Sequence, residues 1–594
     1  MAINSFFNDM NLDKGDAPYL ILLLVFGLFL VVDIIHFNQL RGAFNSDIYI
    51  YLINALNFAG MNYNNLSSPY CMVNAPVICF LTSLFFRMGY VDINAIFIVT
   101  GFFSVLGIFG MYTFLKVRFS SLLSFTGAIL YSSLSITLYW FSNGMVDVPA
   151  VSVILWTLIF SVAAVDKNPK YWILAAISFV ISFFIRFTCA FVILIILLYL
   201  MKKFDVIGLI DNLISDRPYF KEQLISFFRS PDFKWILYSS ILGAFLLLFG
   251  FYVIWSYGAQ LSFIGQASNS VVGFKSNFND PNYITDRWFY FKNFLNFLSC
   301  NHITFNDRLT EFFEEPSLFA YLICAILSIG IILKVINTAR RNLKFDFFKN
   351  SYKTKYFNYV LLFSLAVFLI LSRYGFRYNY LISLLGLFLS ISIIISVLHK
   401  YDLNNTYSVF FIANLSLFIF YMVIFSYLNI KCIRYILPTI PAFVFFVIYA
   451  LENILNVLDN GFNTKNSLND KQEYFIPKKL VSKLVPVVLI IICLFVIANY
   501  TDTVEIADRG IDIINVCEFI IDYDSDYQSK EIGSYINRYY EWYLDKNVKS
   551  FYGVPLKDSN FTYIISYEKL HNRYYDKIYR SGGVYVYERT ADLT

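Results

Sequence analysis

Two aspartates and a small set of basic residues stand at the edges of long apolar runs, where charge is costly and persists mainly for a purpose. Asp47 follows the first run, in FNSDIYIYL (44–52). Asp147 lies in SNGMVDVP (142–149), and Arg186 interrupts an otherwise apolar stretch. Arg373 and Arg377 close a run in SRYGFRY (372–378), and Lys431 and Arg434 open another in KCIRYILPTIP (431–441). The guanidinium fork matches phosphate oxygens, which makes Arg186, Arg434, Arg377 and Arg373 candidate ligands for a lipid phosphate. A carboxylate beside them suits taking a proton from an acceptor hydroxyl or holding a divalent cation. Asp47 and Asp147 are therefore the catalytic candidates. Each residue also has a plain structural use. Ser46-Asp47 could cap a helix, Asp147 could open one ahead of Pro149, Arg186 could snorkel, and the other arginines could anchor the interface beside tyrosines. Tyr49, Tyr51 and Tyr70 suit interfacial packing or stacking on a sugar, and His302 suits loop structure or substrate contact.

The elements that must position these residues are membrane spans. The chain has 594 residues, 58% hydrophobic and 15% charged, with mean hydropathy +0.60. Charge falls well below the roughly 25% of globular domains, and apolar runs near the ~20 residues of a span recur along the chain. Each such run must satisfy its own backbone in lipid and reads as a helix. About 13 spans are expected: 18–36, 93–115, 119–139, 146–165, 171–185, 187–201, 235–257, 317–336, 357–372, 380–398, 406–427, 436–456 and 484–499. The pair at 171–201 could instead be one helix broken near Arg186. The segment 44–90 reads as two amphipathic helices joined by a polar turn, the second opened by Pro76 and too short to span. Lysine and arginine favour one set of loops: six in 202–234, seven in 334–355 and five in 465–483, against two in 37–92 and none in 139–145. That bias puts the N-terminus in the cytoplasm and Asp47, Asp147 and the chain end on the opposite face.

Residues 1–499 read as the membrane module and 500–594 as a small extracytoplasmic α/β domain. It has a helix-like stretch at 531–544 and alternating strands at 561–566 and 584–588. The eight cysteines and four histidines show no metal or disulfide spacing, and the net charge of +5 gives no sign of nucleic acid binding.

Three patterns together resemble the GT-C membrane glycosyltransferases, in the branch of the protein O-mannosyltransferases and the aminoarabinose transferase (ArnT-like). They are Asp47 in the first outer loop followed by NAPVICFLTSLFFRMG (74–89), Asp147 before Val148-Pro149, and RYILPTIP (434–441) at a late span. The sequence departs from that family's pattern at Ile48, where relatives often carry Glu, and at Asn74-Ala75-Pro76, where many carry Lys before two prolines. The resemblance implies a mainly α, polytopic GT-C bundle. It also implies a polyprenyl-phosphate sugar as donor, an acceptor that is lipid, glycan or protein, and inversion at the anomeric carbon. Carried over, Asp47 is the base or an acceptor-orienting carboxylate, and Asp147 the second acid and a ligand if a divalent metal (Mg, Mn or Zn) is used. Arg186 lies near the lipid phosphate and Arg434 is a phosphate or structural residue, in a multi-pass plasma-membrane protein. The rival reading is a transporter or lipid-carrier flippase, though no internal repeat is visible.

Overall fold

The computed structural model describes residues 7, 9–39, 46–61, 75–204, 209–210, 212–213, 217–256, 284, 286–305, 311–340, 355–378, 380–400, 406–428, 431–465, 478–504, 509–535, 537–550, 559–571 and 573–590. The chain is a bundle of apolar helices followed by a small mixed sheet. In order the helices are α1 (Ala17–Gln39), α2 (Ser46–Ala59), α3 (Pro76–Arg87), α4 (Asn94–Lys116), α5 (Ser121–Ser133), α6 (Ser135–Tyr139), α7 (Asp147–Asp166), α8 (Tyr171–Ile185), α9 (Val192–Lys203), α10 (Arg217–Arg229), α11 (Pro231–Ser256), α12 (Leu318–Arg340), α13 (Lys355–Tyr378), α14 (Tyr380–Lys400), α15 (Thr406–Tyr427), α16 (Ile440–Lys465), α17 (Lys478–Ala498), α18 (Arg509–Tyr523) and α19 (Asn537–Leu544).

Among the described residues, seven helices are long and apolar enough to cross a membrane, and five of the shorter apolar helices fall on further expected spans. The chain is a multi-span membrane protein. The expected span 119–139 is two helices instead, because Leu134 adopts an extended conformation between α5 and α6. The stretch 171–201 is likewise divided. Arg186 is extended (φ −153°, ψ 120°) and a 3-10 segment, Phe187–Phe191, leads into α9.

Helices α4 and α7 pack closely and form the platform for the site. Small residues allow it: a side chain at Gly107 would collide with Ser152, and one at Gly110 would press on Leu155 and Trp156. Serine and threonine hydroxyls along these helices, such as Ser104, Ser152 and Thr157, bond back to carbonyls four residues earlier. That satisfies a buried polar group at no cost to the helix ladder.

A hairpin, β1 (Cys300–Phe305) with β2 (Glu311–Pro316), lies between α11 and α12, and Ile303 bridges to Val504 just after α17. The C-terminal sheet runs β4 (Lys549–Ser550), β3 (Ile532–Ser534), β5 (Tyr563–Ser566), β7 (Val584–Arg589), β6 (Tyr575–Ser581), with parallel pairs around β3 and antiparallel pairs around β7. The expected helix 531–544 is thus a strand followed by a helix. At Gly533 the Phe561 ring sits 2.8 Å from where a Cβ would be, so this strand position has little room for a side chain, and the helix starts at Asn537. Helix α18 packs on β6 and β7, and α19 packs on α2.

Candidate active site

Four separate stretches of chain converge on the start of α2. Asp47 sits in the first turn of α2 and Asp147 in the first turn of α7. Both carboxylates therefore lie at the positive end of a helix dipole. The N-cap of α7 is Val146, with no side-chain cap bond, so Asp147 is not spent on capping. The loop before it is built to present it. Asn143 closes a local turn onto the Met145 amide, Ser142 bonds the Phe97 carbonyl, and Thr100 accepts the Gly144 amide. Gly144 has φ +84°, and a Cβ there would lie 3.0 Å from Ile48, the neighbour of Asp47. This glycine lets the two aspartate-bearing loops meet.

The arginines close the cluster. Arg434, in a 3-10 segment (Ile433–Thr439) ahead of α16, donates from Nη2 to Asp47 Oδ2 at 2.7 Å, while its Nε lies 3.9 Å from Asp147 Oδ2. Arg186 is ion-paired with Asp147, whose side chain is only 2% exposed, and its Nε donates to Thr188 Oγ1 at 3.2 Å. The break between α8 and α9 is what frees Arg186 to reach it. The guanidinium of Arg186 also lies 5.0 Å from the Tyr435 ring centre, and that of Arg434 5.8 Å from Trp140. Both cations are held over aromatic faces.

Of the residues singled out from sequence, Asp47, Asp147, Arg186 and Arg434 thus stand together. Tyr49 does not open into the cluster. It is buried and its hydroxyl is 3.2 Å from that of Tyr543 in α19. His302 is exposed on β1, opposite Glu314. Arg373 is exposed on α13 and, among the described residues, forms no ion pair with the cluster. The side chain of Arg377 and all of Tyr70 lie outside the described residues. Lys431 points elsewhere: its ammonium donates to the Ser426 and Leu428 carbonyls at 3.1 and 2.5 Å, and burial draws its pKa down to about 8.

Two neighbours, Trp140 and Arg538, were not legible as site residues, and Tyr51 reads from sequence only as interfacial packing or sugar stacking. Tyr51, buried one turn beyond Asp47, interacts electrostatically with Asp47, Arg434 and Arg186. Burial pushes its phenol far up, so it remains a proton-bearing donor. Trp140 flanks Arg434, and Arg538, from α19, brings Nη1 to 3.9 Å from Asp47 Oδ1. The aromatic abundance of the chain hides Trp140, and an arginine in a polar domain gives no hydropathy contrast.

Of the described carboxylates at the site, Asp47 and Asp147 are the ones that could hold a divalent cation. Among the described residues no three His, Cys, Asp or Glu side chains gather. Asp47 and Asp147 are both already paired with arginine. What the cluster offers is a proton acceptor beside fixed guanidiniums, which fits transfer at a phosphorylated centre.

The fold is of the GT-C type. Residues 73–205, from just before α3 through α9 and including Asp147 and Arg186, match the dolichyl-phosphate-mannose-protein mannosyltransferase family. ArnT from Cupriavidus metallidurans, solved bound to undecaprenyl phosphate, aligns over 97% of this chain and 99% of its own, with TM-score 0.53 and 10% identity. AglB from Archaeoglobus fulgidus, an archaeal oligosaccharyltransferase solved with an inhibitory peptide and a dolichol-phosphate, aligns over 93% of this chain and 70% of its own, with TM-score 0.43 and 11% identity. No curated protein matches the sequence. The whole-chain fold is thus like that of ArnT, and the segment that carries Asp147 and Arg186 matches the mannosyltransferase family.

Proposed function

We propose that the chain moves a sugar from a polyprenyl-phosphate donor to a hydroxyl- or amine-bearing acceptor at the outer face of the membrane, with inversion. The observation that carries this reading is the Asp47–Arg434 contact of 2.7 Å within a cluster of two carboxylates and three guanidiniums. The acceptor atom attacks the anomeric carbon as the bond from that carbon to the phosphate oxygen breaks. The acceptor proton passes to Asp47, and the bonding pair leaves with the polyprenyl phosphate. Arg434 and Arg186 bind the phosphate and stabilise its growing charge, and Asp147 orients Arg186 and limits the net charge of the empty site. Because lipid phosphate is already a good leaving group, positioning and electrostatic stabilisation supply most of what is needed.

On this reading the N-terminus is cytoplasmic and the C-terminal α/β domain, 500–594, faces outward beside the acceptor, in a plasma membrane. The acceptor is a lipid, a glycan or a protein. Purified full-length protein in detergent, offered a panel of radiolabelled polyprenyl-phosphate sugars, should release or transfer label from one member. Absence of turnover and hydrolysis across the whole panel would sink the proposal and bring the transporter reading forward.

A further inference from the structure

We propose that α10 (Arg217–Arg229) is a membrane-surface helix that binds the anionic headgroups of phospholipids, at the end of the bundle away from the Asp47 cluster. The inference is independent of the transfer reaction.

The sequence of α10, RPYFKEQLISFFR, sorts into stripes at four-residue spacing. Arg217, Lys221, Ile225 and Arg229 form one stripe, and all four are exposed. Phe220, Leu224 and Phe228 form the stripe beside it. Tyr219, Gln223 and Phe227, with Glu222 and Ser226, lie on the other side of the helix and line a cavity of about 440 Å³ shared with Lys203 of α9. Phe227 fixes that side to the bundle, its ring 4.5 Å from Phe204 and 5.1 Å from Phe233. The helix thus turns Glu222, Gln223 and Ser226 toward protein. On its outer side Ile225 stays 42% exposed, and Phe228 is 51% exposed although one edge meets the Phe233 ring. A helix bathed in water would bury its apolar side chains and leave the polar ones outside. The reverse arrangement fits a helix whose outer medium is partly lipid.

Position and charge say which medium that is. Ser230 alone separates α10 from α11 (Pro231–Ser256), which is long and apolar enough to cross a membrane. The Ser230 hydroxyl accepts the Phe233 amide at 3.2 Å and α11 opens on a proline, so the chain passes from one helix to the next without slack. Leu237, Tyr238 and Ile241, early in α11, are exposed and need lipid around them. Helix α10 is therefore held at the level where that span enters the membrane. The Lys203 ammonium donates to the Val165 carbonyl at 2.8 Å and pairs with Asp232 at 3.5 Å, which puts this level beside the end of α7. Asp147 opens the same 20-residue helix, roughly 30 Å away. Among the described residues, Arg217, Lys221 and Arg229 form no ion pair. Cations in that setting complement lipid phosphates: their alkyl stems lie along the acyl boundary while their charged ends reach the headgroups.

The test is native mass spectrometry of the full-length protein in detergent, titrated with dioleoyl phosphatidylglycerol or dioleoyl phosphatidylcholine. Arg217→Gln/Lys221→Gln/Arg229→Gln is compared with wild type and with Lys569→Gln/Arg573→Gln/Lys577→Gln. The second variant removes the same charge from exposed positions of the C-terminal domain. The α10 variant should lose phosphatidylglycerol affinity by about tenfold or more and keep its phosphatidylcholine affinity, while the control binds both lipids as wild type does. Arg217→Lys/Arg229→Lys should bind like wild type, since a headgroup layer requires the charge but not the guanidinium fork. Higher ionic strength should weaken phosphatidylglycerol binding by wild type and leave that of the α10 variant nearly unchanged. Equal phosphatidylglycerol affinity in wild type and the α10 variant would overturn the assignment. So would an equal loss in the C-terminal control, which would mark net charge rather than this helix. A wild-type dimer that the α10 variant loses, with lipid affinity unchanged, would overturn it as well and give the face to a second copy of the chain. If the α10 variant fails to fold, wild type decides: no preference for phosphatidylglycerol over phosphatidylcholine, or a preference that salt does not reduce, overturns the proposal.

Discussion

Replacing Asp47 with asparagine separates proton acceptance from every other use of this side chain. Asparagine keeps the shape and can still accept from Arg434, so the 2.7 Å contact survives as a weaker bond. The pair is partly open to solvent, with side chains 28% and 15% exposed, so losing its charge should cost only about 1–2 kcal/mol. In a chain this long that corresponds to a melting shift of roughly 1–2 °C. The effect on chemistry is far larger, because removing a general base typically costs about 10²–10⁴ in rate. Affinity should move the other way. The ion-pair network rises by one positive charge, so a phosphodiester donor should bind as well as before or more tightly. The assay is single-turnover release of labelled sugar at saturating acceptor, with donor affinity measured separately. The expected result is a collapse of the transfer rate beside intact donor affinity and melting temperature. Turnover within a few-fold of wild type would refute the base assignment, and a loosened donor with unchanged turnover would make Asp47 a binding residue instead.

Asp147→Asn should behave differently, since Asp147 is buried against Arg186. Orphaning that cation should cost about 3–5 kcal/mol, seen as a much larger fall in thermal stability than for Asp47→Asn. The double variant Asp147→Asn/Arg186→Gln should recover part of the loss, and a double-mutant cycle showing purely additive effects would contradict the pairing. Gly144→Ala forces a side chain into a positive-φ turn against Ile48. It should destabilise by about 1–3 kcal/mol and slow transfer by displacing Asp47, so wild-type turnover and melting would count against that turn's role. Glu541 in α19 is pushed up to about 7 by burial, although the Val548 backbone, Arg538 and Asn537 oppose the shift. The folded form thus holds this proton where the unfolded chain, near 4.5, has released it. Stability from this group is full at low pH and declines as pH rises from about 4.5 through 7. Wild type should therefore melt lower at pH 8 than at pH 5 by more than Glu541→Gln does, and parallel pH profiles would dismiss the effect.

The helical bundle was readable because lipid forces every span to announce itself as a long apolar run. The paired helices of 44–90 and the break at Arg186 were readable for the same reason, as interruptions of that signal. What hydropathy does not encode is which interruptions meet. Arg186, Arg373, Arg377 and Arg434 look alike in sequence, yet only Arg186 and Arg434 of these are placed by the described contacts beside the aspartates. Tyr49 reads from sequence as a substrate contact, but two positions past Asp47 a helical residue lies about 200° around the axis, here toward α19. Arg538 was invisible for a different reason. Its contact with Asp47 spans nearly the whole chain, and only the docking of one folded unit on another creates it.

The ion-paired cluster gives the proposed reaction a built-in timing. Before the donor arrives, the aspartates keep guanidiniums from standing unpaired near the membrane. Arg434 then faces a choice between Asp47 and the donor phosphate. As the sugar leaves, the phosphate goes from one negative charge toward two, while Asp47 goes from one toward none as it takes the acceptor proton. Both changes push the same arginine toward the phosphate. The interaction is therefore stronger in the transition state than in the ground state, which is the condition for it to accelerate the chemical step rather than merely bind the donor. A carboxylate that pairs with arginine at rest and accepts the proton during transfer does both jobs with one group, and the second job releases the first.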